Sequence, residues 1–189
     1  NGVEVSDEKA DEIKHAWRRA NPEIRKMWRK LDTTIALSLA NPGMRHAIND
    51  KLSIKVETVS GHKYLTILLP SGRRLCYFHP EMDKMTGEFS YWGWETNKSG
   101  GRVWKKAFSW GGKILENICQ AIARDIMMHG LLLCERAGLQ VFGSIHDEAL
   151  ALVPVTDDTA LVKMIKALTT QPDWAKGLPL AAEGVVRQR

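Results

Sequence analysis

Long apolar runs are absent from this 189-residue sequence. No stretch approaches the ~20 residues of a membrane span, and no leader pattern of basic then apolar residues opens the chain. A cytoplasmic protein without a membrane partner is the expectation. Cysteine is scarce too: Cys76, Cys119 and Cys134 are odd in number and lack paired metal-ligand spacing. Two of them fall on expected helix faces, which points to buried free thiols in a reducing compartment rather than to disulfide staples. Acid is missing from one stretch altogether, since no Asp or Glu lies between Lys98 and Lys113.

What is present is ordinary for a folded chain. Hydrophobic residues make up 44% and charged residues 26%, enough for one well-buried domain or one and a half. The net charge of +5 favours an anionic partner without saying which.

The most informative stretch runs from Leu139 to Val153. Two apolar runs flank His146, Asp147 and Glu148, and Pro154 closes the second. Their length and β-branched content predict two short strands joined as a hairpin. Val141, Gly143 and Ile145 are expected on one face, with Phe142 and Ser144 on the other. Acidic side chains at the tip of a buried hairpin need a partner, because desolvating an unpaired charge is costly. A divalent ion is one such partner: Mg²⁺ takes one or two carboxylates and completes its shell with phosphate oxygens. A plain turn is the other reading, in which the Asp oxygen bonds nearby backbone amides.

Ser6 caps a first helix whose early turns are crowded with acid, and Ala10, Ile13, Trp17 and Ala20 form its apolar stripe. Pro22 suits the first turn of a second helix. Ile24, Met27, Trp28, Leu31 and Ile35 line one side, and Arg25, Lys26, Arg29 and Lys30 a solvated other side. Asn41-Pro42-Gly43 breaks that helix. Residues 44–62 show no clear pattern. Tyr64–Leu69 and Arg73–Phe78 read as strands joined by a turn at Pro70-Ser71-Gly72, which places Arg73 and Arg74 where a phosphate could be met. Loops and short strands are expected over 79–110. There Trp92, Trp94, Trp104 and Trp110 lie close in sequence to Lys98, Arg102, Lys105 and Lys106. Bases stacking on aromatics beside cations is one reading, and tryptophans anchoring a loop to the core is the other. From Gly111 to Glu135 the pattern is helical, with Ile114, Leu115, Ile118, Cys119, Ile122 and Ile126 as the buried stripe. Lys113, Asn117, Gln120 and Arg124 stack along one polar face that carries no negative charge. Such a stripe could follow base and sugar edges in a groove. Gly138 ends this helix. A further amphipathic helix spans Asp157–Leu168, and Trp174, Leu178 and Leu180 are expected to pin the tail.

Gly111-Gly-Lys-Ile-Leu-Glu-Asn-Ile-Cys-Gln-Ala-Ile-Ala-Arg-Asp125, followed by Ile145-His-Asp-Glu-Ala149, resembles family A DNA polymerases of the phage and prophage branch. Ala16-Trp-Arg-Arg-Ala-Asn-Pro-Glu-Ile24, Leu69-Pro-Ser-Gly-Arg-Arg-Leu75 and Pro172-Asp-Trp-Ala-Lys-Gly-Leu-Pro179 fit the same branch in the same order. The resemblance implies an α+β fold. A palm-type antiparallel sheet would carry the His-Asp-Glu hairpin and pack against long helices. Residues 1–40 would be fingers-derived helices, 41–110 a hairpin and loop region, and 111–189 the palm helix, catalytic hairpin and C-terminal helix, all in a single C-terminal fragment.

By the same resemblance, Asp147 and Glu148 serve the two catalytic Mg²⁺ ions, and His146 lies by the primer end. Asn117 and Gln120 touch the minor groove of the primer–template duplex. Lys113 stands where many relatives carry Arg, and Arg124 is left to packing. The partners implied are primer–template DNA, a deoxynucleoside triphosphate and the upstream remainder of the polymerase. Of the family's three core motifs only the last is visible. The strand bearing the other metal aspartate is not found, and the nucleotide-gripping fingers helix is expected just before Asn1. An inactive fragment with weak or absent metal binding follows. A non-catalytic DNA-binding module derived from a palm is the alternative. A hydrolase binding one metal through His146, Asp147, Glu148 and His129 is disfavoured, because neighbouring strand residues point to opposite faces.

Overall fold

The computed structural model describes residues 5–83, 85–97 and 99–187. The fold is α+β, with antiparallel sheets and four α-helices among the described residues. The chain divides into two compact units, residues 1–118 and 119–189, and the division falls inside a long helix rather than at a linker.

The first unit opens with α1 (Asp7–Ala20), where the Ser6 hydroxyl accepts the Lys9 amide at 3.3 Å and Asp7 and Glu8 sit in the first turn. Its expected apolar stripe is not buried: Ile13 is 54% exposed, and Trp17 stacks on Trp28 of the next helix at 5.9 Å. Helix α2 (Pro22–Ala40) buries Leu31, Thr34, Ile35 and Ser38, a line displaced toward its C-terminal half from the expected Ile24–Ile35 stripe. The two buried hydroxyls bond back to the carbonyls of Lys30 and Thr34, so the polar groups in this face are satisfied. Arg25, Lys26, Arg29 and Lys30 are exposed, as expected of a solvated face.

Six strands follow as an antiparallel meander: β1 (Arg45–Ala47), β2 (Ser53–Val59), β3 (His62–Leu68), β4 (Arg74–Met82), β5 (Phe89–Thr96) and β6 (Arg102–Ser109). Ser60 and Gly61, both at positive φ, make the tight turn between β2 and β3. The Pro70-Ser71-Gly72 turn is where the sequence places it, closed by the Gly72 amide on the Leu69 carbonyl at 2.9 Å. Two expectations are corrected here. The patternless stretch 44–62 holds β1 and β2, and the stretch 79–110, read as loops and short strands, is mostly two eight-residue strands.

Side chains alternate across the meander, so one face is apolar over its centre, with Glu95 and Lys105 paired at its β5–β6 end. Ile54, Val56, Leu65, Ile67, Tyr77 and Phe89 are buried there, and α2 packs over β1, β2, β4 and β5. Burial of this kind contributes roughly 1.5–3 kcal/mol per large side chain before chain entropy is subtracted.

Helix α3 (Gly111–Arg136) starts against α2. The Gly111 amide donates to Asp32 Oδ1 at 2.5 Å, putting a carboxylate where the helix dipole is positive. A Cβ on Gly111 would stand 2.0 Å from the Trp28 carbonyl oxygen, so only glycine fits.

The second unit contains the rest of α3, strands β7 (Gln140–Ile145) and β8 (Glu148–Leu152), helix α4 (Ala160–Thr169) and a 3-10 turn at Asp173–Ala175. Gly138 at φ 80° ends α3, with its own amide on Glu135 and the Leu139 amide on the Cys134 carbonyl. That closure folds Leu139 onto Cys134, and both join Ala160 and Ala167 in a small core flanked by Val141, Ala151 and Met164. The thiols divide against expectation: Cys134 is buried, whereas Cys76 and Cys119 are exposed. Ile122 and Ile126 are only half-buried, the buried line of α3 passing instead through Ala121, Leu131 and Cys134. Pro172 and Ala175 anchor the tail, while Leu178 is exposed and held by its carbonyl to the Gln171 amide.

Gly111→Ala is expected to cost about 3 kcal/mol or more, because backbone rather than a flexible side chain must yield. Gly72→Ala, at φ 85° in open space, should cost only about 1 kcal/mol. Urea unfolding of both variants by circular dichroism checks the ordering; equal losses would remove the steric argument.

Candidate functional site

The hairpin in the second unit forms as predicted, but its register differs. Val141 pairs with Ala151 and Gly143 with Leu150, so Phe142 is bulged out and Val141 faces away from Gly143 and Ile145. Val141 and Ala151 pack on the small core, while Phe142, Ile145, Leu150 and Leu152 remain 38–56% exposed. Ile145 pairs with Glu148, leaving His146 and Asp147 as a two-residue loop with His146 at φ 53°.

His146, Asp147 and Glu148 are all exposed. The desolvation argument for a partner therefore does not apply, since these carboxylates stand in water. The plain-turn reading lacks its mark as well: among the described residues no hydrogen bond or ion pair engages any of the three side chains. What remains is a pair of uncommitted carboxylates on successive residues at the end of a packed hairpin. No group of three or more His, Cys, Asp or Glu side chains among the described residues could hold a metal ion. Two carboxylates match what Mg²⁺ takes from protein when water and phosphate complete its shell, and they fall short of a full protein cage. Asp147 and Glu148 are side chains of the chemical kind such a half-site would use.

The polar residues of α3 differ in their surroundings. Lys113 and Gln120 are exposed, as is Arg124. Asn117 is half-buried, and its side-chain amide donates to the Tyr77 hydroxyl at 3.1 Å. Burial pushes the Tyr77 phenol up to about 12, with the Asn117 bond opposing the rise. Sequence reasoning missed Tyr77, although its place in the alternation of β4 could have marked it as inward-facing. Arg74 does not stand free at the turn, because its guanidinium lies 3.4 Å from Glu57 across the sheet. Arg73 is exposed beside it.

The tryptophans expected in a loop lie on strands. Trp94 pairs with Trp104 and Trp92 with Lys106, and all three rings are exposed, which removes the core-anchor reading for them. Trp110 meets Trp28 edge-on at 5.1 Å and is 49% exposed. Lys98 lies outside the described residues. His129, considered as a ligand beside the hairpin, has its Nε2 buried and without a hydrogen-bond partner.

The chain is similar to a phage DNA polymerase. A DNA polymerase of Bacillus phage SP02 is 33% identical over 182 residues, covering 93% of this chain. The chain spans 26%, about a quarter, of that relative's length. No family model matches, and no solved structure matches.

The Tyr77–Asn117 pair gives a test. The folded phenol titrates above the unfolded one, so its contribution is complete below pH 10 and is lost as pH climbs toward about 12. Unfolding free energy should fall by up to about 2–3 kcal/mol across that window, and Tyr77→Phe should flatten the decline. Asn117→Ala should cost about 1–3 kcal/mol at neutral pH by leaving the hydroxyl unpaired. Urea titrations at stepped pH measure both; an unchanged slope in Tyr77→Phe would refute the assignment.

Proposed function

We propose that the chain is the C-terminal part of a DNA-directed DNA polymerase of family A, contributing palm-type structure to template-directed nucleotidyl transfer. One observation carries the reading. The similarity to a phage DNA polymerase covers 93% of the chain, a chain that also carries the uncharged-to-cationic face of α3 and an uncommitted acidic pair on the hairpin.

In this reading Asp147 and Glu148 hold Mg²⁺, which when bound supplies Lewis-acid stabilisation of charge on the phosphoryl oxygens. The chain's own contribution is placement. The hairpin is packed on its small core through Val141 and Ala151, and Asp147 and Glu148 at its tip would be the residues that hold the ion. His146, held at positive φ in the loop, lies beside the primer end. Gln120 offers amide hydrogens to minor-groove acceptors, which are alike for every base pair and so report duplex geometry rather than sequence. Asn117 has one amide hydrogen bonded to Tyr77, which fixes the orientation of its remaining donor and acceptor. Lys113 and Arg73 supply charge for backbone phosphates. The substrates are primer–template DNA and a deoxynucleoside triphosphate, and the upstream remainder of the polymerase supplies the rest of the site.

The chain alone should incorporate no nucleotide in Mg²⁺ and should regain activity when the upstream part is supplied. In that reconstituted enzyme, Asp147→Ala should lower primer extension by at least about 10³-fold, the scale of removing a metal-held charge at the reacting centre. Synthesis unaffected by Asp147→Ala would favour a non-catalytic DNA-binding module instead.

A further inference from the structure

The six-stranded sheet has a second face that the polymerase reading leaves without a task. Register puts Tyr64 opposite Phe78, Phe78 opposite Trp92, Trp92 opposite Lys106 and Trp94 opposite Trp104, so all of these project from the side that α2 does not cover. The rings form a connected row: Tyr64 meets Phe78 at 5.3 Å, Phe78 meets Trp104 at 5.7 Å, and Trp104 meets Trp94 at 5.5 Å. Trp94 is 60% exposed and Phe108, on the same face, 55%. Aromatic surface of this extent in water is costly, and a sheet that only needed a core would place polar residues here.

Cations run alongside. The Arg102 guanidinium lies over the Trp94 ring at 5.9 Å, and Lys106 reaches Glu81 from the next position. At the other end of the face, Arg45, Lys55 and Arg74 surround a shallow hollow with Glu57 as its acid. Rings spaced along strands with Arg and Lys at their flanks match one class of ligand well: a flexible polyanion that carries flat apolar groups at regular intervals. Bases stack on the rings whatever their identity, while the backbone phosphates meet the cations. Lys106 and Arg74 already face Glu81 and Glu57, but Arg102 has no carboxylate partner among the described residues. A protein partner with a purely apolar face would satisfy the rings and leave that guanidinium without a counterpart.

We propose that this outward face binds single-stranded DNA, with Trp94, Trp104 and Phe78 as stacking positions and Arg102, Lys106 and Arg74 as phosphate contacts. The choice of DNA over RNA rests on the polymerase reading. The stacking site itself rests on the sheet alone.

Fluorescence anisotropy of a labelled oligothymidylate with the full chain tests it. Binding should weaken with salt. Trp94→Ala and Trp104→Ala should each lower affinity by roughly fivefold or more, and their combination further. Both rings lie at the surface, and circular dichroism confirms that the variants fold. Arg102→Ala should reduce the salt dependence. Oligothymidylate binding by the chain reads this site and primer extension by the reconstituted enzyme reads the polymerase assignment, so failure of one is distinguishable from failure of the other. Wild-type affinity in the double Trp variant would overturn the proposal. So would duplex DNA or oligouridylate bound more tightly through the same residues. Self-association abolished by the Trp substitutions, with no oligonucleotide bound, would also overturn it.

Discussion

Helix α3 begins in a gap that admits no side chain. Gly111 sits against the Trp28 carbonyl, and its amide is held by Asp32, so the start of the helix is fixed on α2 by backbone contact and a charge-assisted hydrogen bond. Helix α2 in turn covers the apolar face of the sheet, and Asn117 ties the next turn of α3 to Tyr77 on that face. Position and orientation of Lys113 and Asn117 follow from these contacts. A polar helix face can serve recognition only if the helix is held still, and here Gly111, the buried Ile114 and Ile118, and Asn117 from the polar face itself hold it.

The two antiparallel elements of the chain leave different surfaces uncovered. In the meander, the face away from α2 carries aromatic rings with cations at their edges. In the hairpin, the face away from the small core carries Ile145, Leu150 and Leu152, apolar and exposed, with charge only at the tip. Two-stranded sheets are rarely stable without a covered face, and this one has its cover on a single side. On the proposed reading, the rest of a larger polymerase accounts for the hairpin's open side, while a ligand accounts for the meander's.

How much of this could be read from the sequence follows from where each signal came from. Helices α1, α2 and α3 were legible because caps and breakers mark them: Ser6, Pro22, Asn41-Pro42-Gly43 and Gly138 act through local backbone chemistry that needs no partner. The β3–β4 turn and the central hairpin were legible for the same reason. Strands β5 and β6 were legible only as unplaced short strands, because their outward positions are Trp and Phe as well as Lys and Arg, which erases the apolar–polar alternation that marks a half-buried strand. The apolar stripe of α1 left its burial open, since periodicity cannot tell a stripe that meets a core from one that meets Trp28. The one-residue slip at Phe142 needed cross-strand pairing to be seen. Asp147 and Glu148 stand out in the sequence by their setting between two apolar runs, but both are exposed, so burial does not demand a partner for them. Tyr77 was missed because its partner Asn117 lies forty residues on.

The central claim is that the hairpin tip is where the metal ion of nucleotidyl transfer is held. Iron-directed cleavage tests it most directly. In the reconstituted polymerase, Fe²⁺ substituted for Mg²⁺ with ascorbate and peroxide cuts backbone next to the ion. The account predicts cleavage at His146–Ala149 that disappears in Asp147→Asn; cleavage confined to other segments, with this hairpin intact, would contradict it.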